Sequence, residues 1–295
     1  MYDICAIGHI TKDKIINPSS VRQLYGGTAY YFSMAIKDFG LHYKLITAVG
    51  REEALILDDL RASGIDVTGL ESRHTVYFEN IYSHDQDQRE QNVLAKATPF
   101  TVSALPAVQA RYFHLGPLLH EDIDPDVILT LAGRGRVALD VQGMLRYTRG
   151  QRVKYRDWRE KKKFLPHVTI VKANGHEMEI ITGSNNVEDG ARYLADLGVA
   201  EVIITLGSKG SLVLANGTFY RIPAFIPKQV IDATGCGDTY MAGYLYKKIQ
   251  GESVEAAGLF GAAMATIKLA SYGPFSGAAG AVEKVLLAAA RKLPG

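Results

Sequence analysis

The sequence predicts an α/β protein with a mostly parallel central sheet and helices on both of its faces. Apolar runs rich in β-branched residues alternate with segments of helical periodicity along most of the chain. At 295 residues the chain is within reach of one large α/β domain. No repeat or low-complexity linker divides it, so we expect a single domain over residues 1–295.

The alternation assigns the elements in chain order. Short apolar, β-branched runs are typical of buried parallel strands, and they occur at residues 3–7, 44–49, 112–115, 137–140, 168–172 and 202–205. Longer segments with apolar residues at helical spacing predict helices at residues 28–39, 53–63, 126–132, 187–197, 238–249, 254–270 and 281–292.

Two stretches interrupt this alternation, at about residues 11–26 and 76–95. The first is polar and contains Asn17 and Pro18, and the second has two strand-like runs around a charged turn at 84–87. Such patterns are typical of β-hairpins. We expect hairpins added to the main layer, with an exposed meander or a dimer contact as the alternatives to a role in substrate binding.

The composition is that of an ordinary globular protein, with 47% hydrophobic and 22% charged residues. A formal net charge of +2 argues against a dedicated nucleic-acid binder. The segment 146–163 is rich in Lys and Arg, and we interpret it as a solvated basic helix or loop rather than a partner-binding patch.

The two cysteines, Cys5 and Cys236, provide no disulfide framework and suit a reducing compartment. The chain has no charged leader followed by a long apolar core, and the most apolar run, 256–267, is too short to cross a bilayer. We therefore expect a cytoplasmic protein with neither a membrane nor a nucleic acid as its partner.

Residues 232–238, with the sequence Asp-Ala-Thr-Gly-Cys-Gly-Asp, follow a run at 228–231 that favours a strand and lead into a predicted helix. Backbone N–H groups converge at such a helix start, where the helix dipole adds positive potential, so an anion such as phosphate binds there. Asp238 lies in the first helical turn, where it would meet that negative charge. This position indicates a function, although a simple N-terminal cap is the alternative.

Polar residues also follow several of the predicted strands, and they are Asp13, Asp140, Gln142, Asn174, Thr205 and Gly207. Open α/β sheets bind ligands at the carboxyl ends of their strands. Taken one at a time, each of these residues also suits an ordinary turn. Together they predict one rim of a binding site.

Residues 232–238 resemble the C-terminal signature of the ribokinase/phosphofructokinase-B (pfkB) family of carbohydrate kinases, with Cys236 where that family usually has Ala. Other motifs of the family follow in the expected order over nearly the whole chain, namely Asp13, Gly26-Gly27, Asn174-x-x-Glu177 and Thr205-x-Gly207-x-x-Gly210. One departure is Tyr31, which occupies the position of an Asn in the N-terminal signature. A Walker-type phosphate loop is excluded, because the sequence contains no Gly-Lys dipeptide.

The resemblance implies a ribokinase-like three-layer α/β/α fold in which the two hairpin regions form a small β-sheet lid, and it implies an ATP-dependent kinase. In that reading Asp238 is the general base. The resemblance assigns the remaining roles as follows: Gly235, Cys236 and Gly237 form the anion hole, Asn174, Thr205, Gly207 and Gly210 bind ATP, Glu177 holds Mg²⁺ through water, and Asp232 and Thr234 bind K⁺. Lid-to-lid homodimers occur among relatives, so a homodimer is a further expectation.

For the acceptor, Asp13, Gly26 and Gly27 resemble positions that bind vicinal hydroxyl groups. The run 139–146 resembles a stretch of inositol-type kinases of this family, which adds Gln142 and Arg146 to the predicted acceptor site. We therefore expect a small-molecule sugar or cyclitol as the acceptor. A nucleoside kinase and a non-catalytic sugar-sensing protein with the same fold are the alternatives.

Overall fold

The computed structural model describes residues 1–18, 20–82 and 89–291. The charged turn predicted at 84–87, and residue 292 at the end of the last predicted helix, lie outside the described residues. The described strands, in chain order, are β1 (Tyr2–Ile7), β2 (Thr11–Asn17), β3 (Ser20–Gly26), β4 (Tyr43–Val49), β5 (Asp66–Glu71), β6 (Val76–Tyr82), β7 (Arg89–Ala95), β8 (Ala110–Leu115), β9 (Arg136–Asp140), β10 (Arg146–Arg149), β11 (Arg152–Tyr155), β12 (Ile170–Asn174), β13 (Glu201–Thr205), β14 (Ser211–Ala215) and β15 (Thr218–Ile222). The described helices are α1 (Thr28–Ile36), α2 (Leu55–Ala62), α3 (Asp126–Ala132), α4 (Lys161–Phe164), α5 (Gly175–Thr182), α6 (Val187–Asp196), α7 (Cys236–Ile249), α8 (Val254–Leu269) and α9 (Ala279–Ala290).

The larger sheet has the strand order β15-β14-β13-β12-β9-β8-β1-β4-β5, and within the described residues only β14 runs against the others. Side chains alternate between the two faces of a strand. In β1, Ile4 and Ala6 therefore join the core on one face, and Cys5 and Ile7 join the core on the other. Helices α1, α2, α7, α8 and α9 cover the first face, and α3 to α6 cover the second. The predicted three-layer arrangement is confirmed.

A second sheet has the order β10-β11-β7-β6-β2-β3, and the two predicted hairpin regions supply β2, β3, β6 and β7. The hairpin of β10 and β11 was not predicted, because residues 146–163 were interpreted as a solvated helix or loop. That interpretation is wrong for residues 146–155. Arg152 pairs with Asn92 of β7, so this hairpin extends an existing sheet edge, and a pairing between distant segments leaves little trace in the local pattern.

The segment that leads into α7 is not a strand, although the run at 228–231 favoured one. The N–H groups of Ile231 and Asp232 both donate to the carbonyl oxygen of Leu269, over 2.9 and 3.3 Å. The segment is thus attached to the C-terminal end of α8 instead of to a sheet. Across the described ranges, none of the helices combines the length and the apolar character needed to cross a membrane.

The connections of the large sheet place a crevice between β1 and β8. From β1 the chain continues to β4 and β5 on one side, and it later returns to β8 on the other side. Ligands bind at such a switch point, outside the carboxyl ends of the strands. Gly27, the residue before α1, lies against this crevice with φ 88°, and a Cβ atom there would be 2.6 Å from the carbonyl oxygen of His9.

We predict that Gly27→Ala costs more stability than Gly40→Ala. Both glycines have positive φ, but no atom lies within 4 Å of a Cβ added at Gly40. Gly40→Ala should therefore cost only the backbone strain, about 1 kcal/mol, whereas Gly27→Ala adds a clash with backbone and should cost about 3 kcal/mol or more. Urea unfolding of both variants measures the difference, and equal losses would contradict the close approach of His9 to Gly27.

Candidate active site

A cleft of about 310 Å³ lies beside the crevice between β1 and β8, and residues of the second sheet line part of it. Its lining residues are Thr11, Asp13, Gly27, Thr28, Tyr31, Phe78, Gln91, Leu118, Gln142, Arg146, Ala233, Thr234, Gly235 and Asp238. The structure thus brings seven of the predicted site residues together in one cleft, and they are Asp13, Gly27, Gln142, Arg146, Thr234, Gly235 and Asp238.

The N-terminus of α7 opens into this cleft through Gly235. This residue precedes the helix in the left-handed conformation, with φ 76°, and a Cβ atom there would be 2.2 Å from Cδ1 of Tyr31. Only glycine fits such a position without strain. The aromatic ring that replaces the family's Asn is therefore packed on the start of the helix.

The first N–H groups of α7 are mostly uncommitted. The first bond within the helix runs from the N–H of Thr239 to the carbonyl of Gly235, over 2.9 Å, and the N–H of Cys236 donates to Ala233, over 3.2 Å. The N–H groups of Gly237 and Asp238 have no acceptor within residues 1–18, 20–82 and 89–291. Uncommitted donors at a helix N-terminus bind anions. Of the predicted anion hole, Gly235 and Gly237 fit, while the N–H of Cys236 is already engaged.

A buried ion pair lies beneath the start of α7. Nζ of Lys172 is 2.5 Å from a carboxylate oxygen of Asp140, and both side chains are less than a tenth exposed. A Cβ atom on Gly237 would lie 2.9 Å from the same Nζ atom. Lys172 was not predicted as a site residue. A lysine within a buried apolar strand was nevertheless a usable signal, since a buried charge requires a partner.

The carboxyl groups near this pair have raised pKa values. Burial raises the pKa of Asp238 to about 6, and Asp140 acts in the same direction, while the Lys172 ammonium and the Thr28 hydroxyl act against it. Burial and Asp140 also raise the pKa of Glu177 to about 7, against the Lys172 ammonium and the N–H of Asn174. A carboxylate with a pKa close to neutrality is well suited to accept a proton.

Asn174 and Glu177 form a reciprocal cap at the start of α5. The N–H of Glu177 donates to the side chain of Asn174 over 2.9 Å, and the N–H of Asn174 donates to the Glu177 carboxylate over 2.8 Å. Asn174 is paired in register with Thr205 of the neighbouring strand. These residues lie at adjacent strand ends, as predicted, but they do not line the cleft.

In the predicted nucleotide turn, local contacts or backbone conformation account for Thr205, Gly207 and Gly210. The hydroxyl of Thr205 donates to the carbonyl of Ala173 over 3.4 Å. Gly210 has φ 87°, and a Cβ atom there would be 2.1 Å from the carbonyl oxygen of Ile222. Gly207 has φ 60° and open space around it. The turn therefore fits its neighbours without any requirement for a nucleotide.

The carboxylate of Asp232 is already bonded on both oxygens. Oδ1 accepts the N–H of Thr234 over 2.9 Å, and Oδ2 accepts the ammonium of Lys268 over 2.9 Å. Of the two K⁺ ligands that the resemblance implied, Asp232 is thus paired with the ammonium of Lys268. In the part of the chain that the structure describes, no group of three or more His, Cys, Asp or Glu residues is arranged to hold a metal ion.

The second sheet contributes a polar wall to the cleft. The guanidinium of Arg146 donates to the side chain of Gln91 and lies 5.4 Å from the ring centroid of Phe78. Gln91 in turn donates to Asn80 over 2.8 Å. Gln91, Phe78 and Thr28 were missed from the sequence, because the pairing of distant strands brings Gln91 and Phe78 to Arg146, and the packing of α1 against α7 brings Thr28 to Asp238.

Gly26 does not line the cleft, although it was predicted to bind the acceptor. A Cβ atom on Gly26 would lie 2.5 Å from Oδ2 of Asp13. Gly26 therefore makes room for the carboxylate that does line the cleft, and its contribution to the site is indirect.

We predict that Asp238→Asn raises the melting temperature at pH 8 while Asp140→Asn lowers it. Because burial raises the pKa of Asp238, its ionised form destabilises the native state, and the neutral amide should recover up to about 3 kcal/mol. Asp140→Asn removes the carboxylate that accepts the hydrogen bond of the buried Lys172 ammonium, which should cost about 3–5 kcal/mol.

The pH dependence separates this effect from a packing change. The gain from Asp238→Asn should be complete above about pH 6 and absent below about pH 4, where the native and unfolded wild-type chains both carry a protonated Asp238. Thermal unfolding across this range measures it. A gain that does not change with pH would contradict the raised pKa.

Comparison with known proteins places the chain in a family. Residues 1–278 match the pfkB family of carbohydrate kinases. A cytidine kinase from Thermococcus kodakarensis is 28% identical over 283 residues, which are 94% of this chain and 99% of that relative. Two solved structures of a pyrophosphate-dependent kinase in the ribokinase family are also similar. The complex with sulfate has a TM-score of 0.86 and 29% identity, and the complex with a pyrophosphate analogue and myo-inositol has a TM-score of 0.85 and 28% identity, each over 97% of this chain and 99% of that chain.

These similarities extend over almost the whole chain and include both sheets. The predicted family, the ribokinase fold and a phosphotransferase activity with an alcohol group as acceptor are confirmed. The protein belongs to the pfkB family of carbohydrate kinases.

Proposed function

We propose that this protein transfers the terminal phosphoryl group of ATP to a hydroxyl group of a cyclitol or sugar. One observation carries the proposal: the carboxylate of Asp238, with a pKa raised to about 6, lies in the same cleft as the open N-terminus of α7. A base for the acceptor hydroxyl and donors for the transferring phosphoryl group are thus combined at one place. Phosphoryl transfer requires positioning and charge stabilisation above all.

In the proposed reaction, Asp238 accepts the proton of the acceptor hydroxyl as its oxygen attacks the γ-phosphorus. The new O–P bond forms while the bond to the bridging oxygen breaks, and the electron pair leaves with ADP. The N–H groups of Gly237 and Asp238 donate to the phosphoryl oxygens, on which negative charge gathers. The Lys172 ammonium beneath them adds positive potential and favours the ionised form of Asp238.

The residues present fit a Mg²⁺ ion that is held mostly by phosphate oxygens and water. Glu177 is a buried carboxylate with a raised pKa at the strand ends beside Lys172, so it gains from a nearby cation. No cluster of three acidic or imidazole ligands accompanies it within the described residues. Mg²⁺ commonly keeps several waters and uses one or two carboxylates. Bound there, it would neutralise charge on the donor phosphates.

The walls of the cleft favour a polyhydroxylated ring as the acceptor. Asp13, Gln91, Gln142 and Arg146 offer carboxylate, amide and guanidinium groups on several sides. The aromatic rings in the cleft are already covered, since Arg146 lies over Phe78 and Tyr31 packs on Gly235. A flat base therefore finds little free aromatic surface for stacking. Because the chain is similar to a cytidine kinase, nucleosides are included among the acceptors to be tested.

Pyrophosphate is a second candidate donor. The two solved structures described above belong to a pyrophosphate-dependent kinase, at 28–29% identity over 97% of this chain. In this chain, the packing of Thr205 and Gly210 is explained without a nucleotide. Both observations support a donor that occupies only the phosphate site.

We expect phosphorylation of one acceptor class in a panel of inositols, pentoses, hexoses and nucleosides, with Mg²⁺ and either ATP or pyrophosphate as the donor. Product phosphate ester is measured, and Asp238→Asn serves as the blank because it keeps the shape of the side chain and removes the base. Its rate should fall about 100-fold or more. Transfer to a cyclitol or sugar supports the proposal. Transfer only to nucleosides, or full activity in Asp238→Asn, would overturn it.

The pH profile should identify the base. Asp238 must be ionised to accept a proton, so kcat/KM should rise with pH and level off above about 6. Glu177, with a pKa of about 7, is the competing origin of this rise at acid pH, the acid limb of the profile. Glu177→Gln keeps an acceptor for the N–H of Asn174 and should leave the acid limb in place. If the limb disappears in Glu177→Gln, the assignment to Asp238 is wrong.

A further inference from the structure

Lys268 places a full positive charge in the interior beside the phosphate-binding turn. It lies in the last turn of α8, and its side chain is fully buried. Its ammonium donates to the carbonyl oxygen of Asp232 over 2.8 Å, to Oδ2 of Asp232 over 2.9 Å, and to the carbonyl oxygen of Ser271 over 3.4 Å. Burial of an ammonium is unfavourable unless such partners surround it.

Two of these oxygen atoms belong to Asp232, in the segment that leads into α7, and the third belongs to Ser271, just after α8. The carboxylate of Asp232 also accepts the N–H of Thr234. Three residues after Asp232, Gly235 directly precedes the first residue of α7. Ile231 and Asp232 are bonded to Leu269, the neighbour of Lys268. Lys268 therefore connects the end of α8 to the first residue of a short turn that leads to the anion site.

We propose that the Lys268 ammonium acts as a built-in monovalent cation, which holds residues 232–235 in the phosphate-binding conformation and makes the enzyme independent of added K⁺. One carboxylate and two carbonyl oxygens also suit an alkali cation, for which carbonyl oxygens replace water. A tethered ammonium, similar in size to K⁺, occupies this oxygen set permanently. Lys268 is a positioning residue, since it acts through the turn. The catalytic part of this inference rests on the proposed kinase function.

The decisive variant is Lys268→Ala, which removes the ammonium and leaves space among its three oxygen partners. With tetramethylammonium as the sole cation besides Mg²⁺, kcat/KM should fall about 100-fold, because the turn loses its position. K⁺ or NH₄⁺ at equal ionic strength should restore about tenfold or more of that loss. The wild-type rate should be the same in all three salts.

Lys268→Met is the paired variant, because it fills the space and leaves no room for an ion. It should lose activity in the same way and should not recover in K⁺ or NH₄⁺. The matched control is Lys248→Ala. Lys248 lies in the last turn of α7 and pairs with Glu201 over 2.8 Å. Removal of that ion pair should lower the melting temperature without any recovery that is specific to K⁺ or NH₄⁺.

Thermal unfolding provides a readout that does not depend on the kinase assignment. K⁺ and NH₄⁺ should raise the melting temperature of Lys268→Ala above its value in tetramethylammonium, because a cation that binds only the native state stabilises it. They should leave the wild type and Lys268→Met unchanged. Inactive wild-type protein across the whole panel would refute the kinase proposal, while this measurement would still test the cation site.

Three results would overturn the inference. The first is a wild-type enzyme that requires added K⁺. The second is a Lys268→Ala enzyme with full activity in tetramethylammonium. The third is a loss in Lys268→Ala, in either rate or melting temperature, that K⁺ and NH₄⁺ restore no better than tetramethylammonium does.

Discussion

The buried pair of Lys172 and Asp140 is the interaction on which the site depends. One ammonium lies beneath the first turn of α7, and three carboxyl groups, of Asp140, Glu177 and Asp238, interact with it electrostatically. Burial, together with the Asp140 carboxylate, raises the pKa values of Glu177 and Asp238, and the single ammonium only partly opposes the rise. Binding of a phosphate donor beside these carboxyl groups requires further positive potential, because like charges repel. The helix N-terminus and a bound Mg²⁺ would supply it.

The proposed phosphate-binding turn lies between two interior cations. Lys268 binds the turn at Asp232, and Lys172 lies against Gly237 at its other end. Both lysines come from the large sheet and its helices, which form the two large buried clusters, whereas Asp13, Gln91 and Arg146 come from the smaller sheet. In the proposed reaction the large sheet and its helices fix the phosphate, while those three residues face the acceptor.

The alternation of apolar runs and helical periodicity was enough to predict the three layers, because buried parallel strands and amphipathic helices leave strong local patterns. The ends of elements were less certain; α1 ends at Ile36, where residue 39 was predicted. The hairpin of β10 and β11 was missed, since its strands are short and polar, and only β11 pairs with β7, across a long sequence separation. For the site, residues 232–238 and Asp13 were found because their types and spacing carry chemistry on their own.

Taken alone, the sequence determined the layer architecture, the kinase family and half of the residues that line the cleft, since each follows from local pattern or motif. Only the tertiary structure decided the pKa shifts of those groups and which residues lie next to them. It placed Lys172 and Lys268 against the phosphate turn, Tyr31 against Gly235, and Gln91 against Arg146. The physical reason is that pKa values and ion pairs depend on burial and on distances between residues far apart in the chain, which no local spacing encodes.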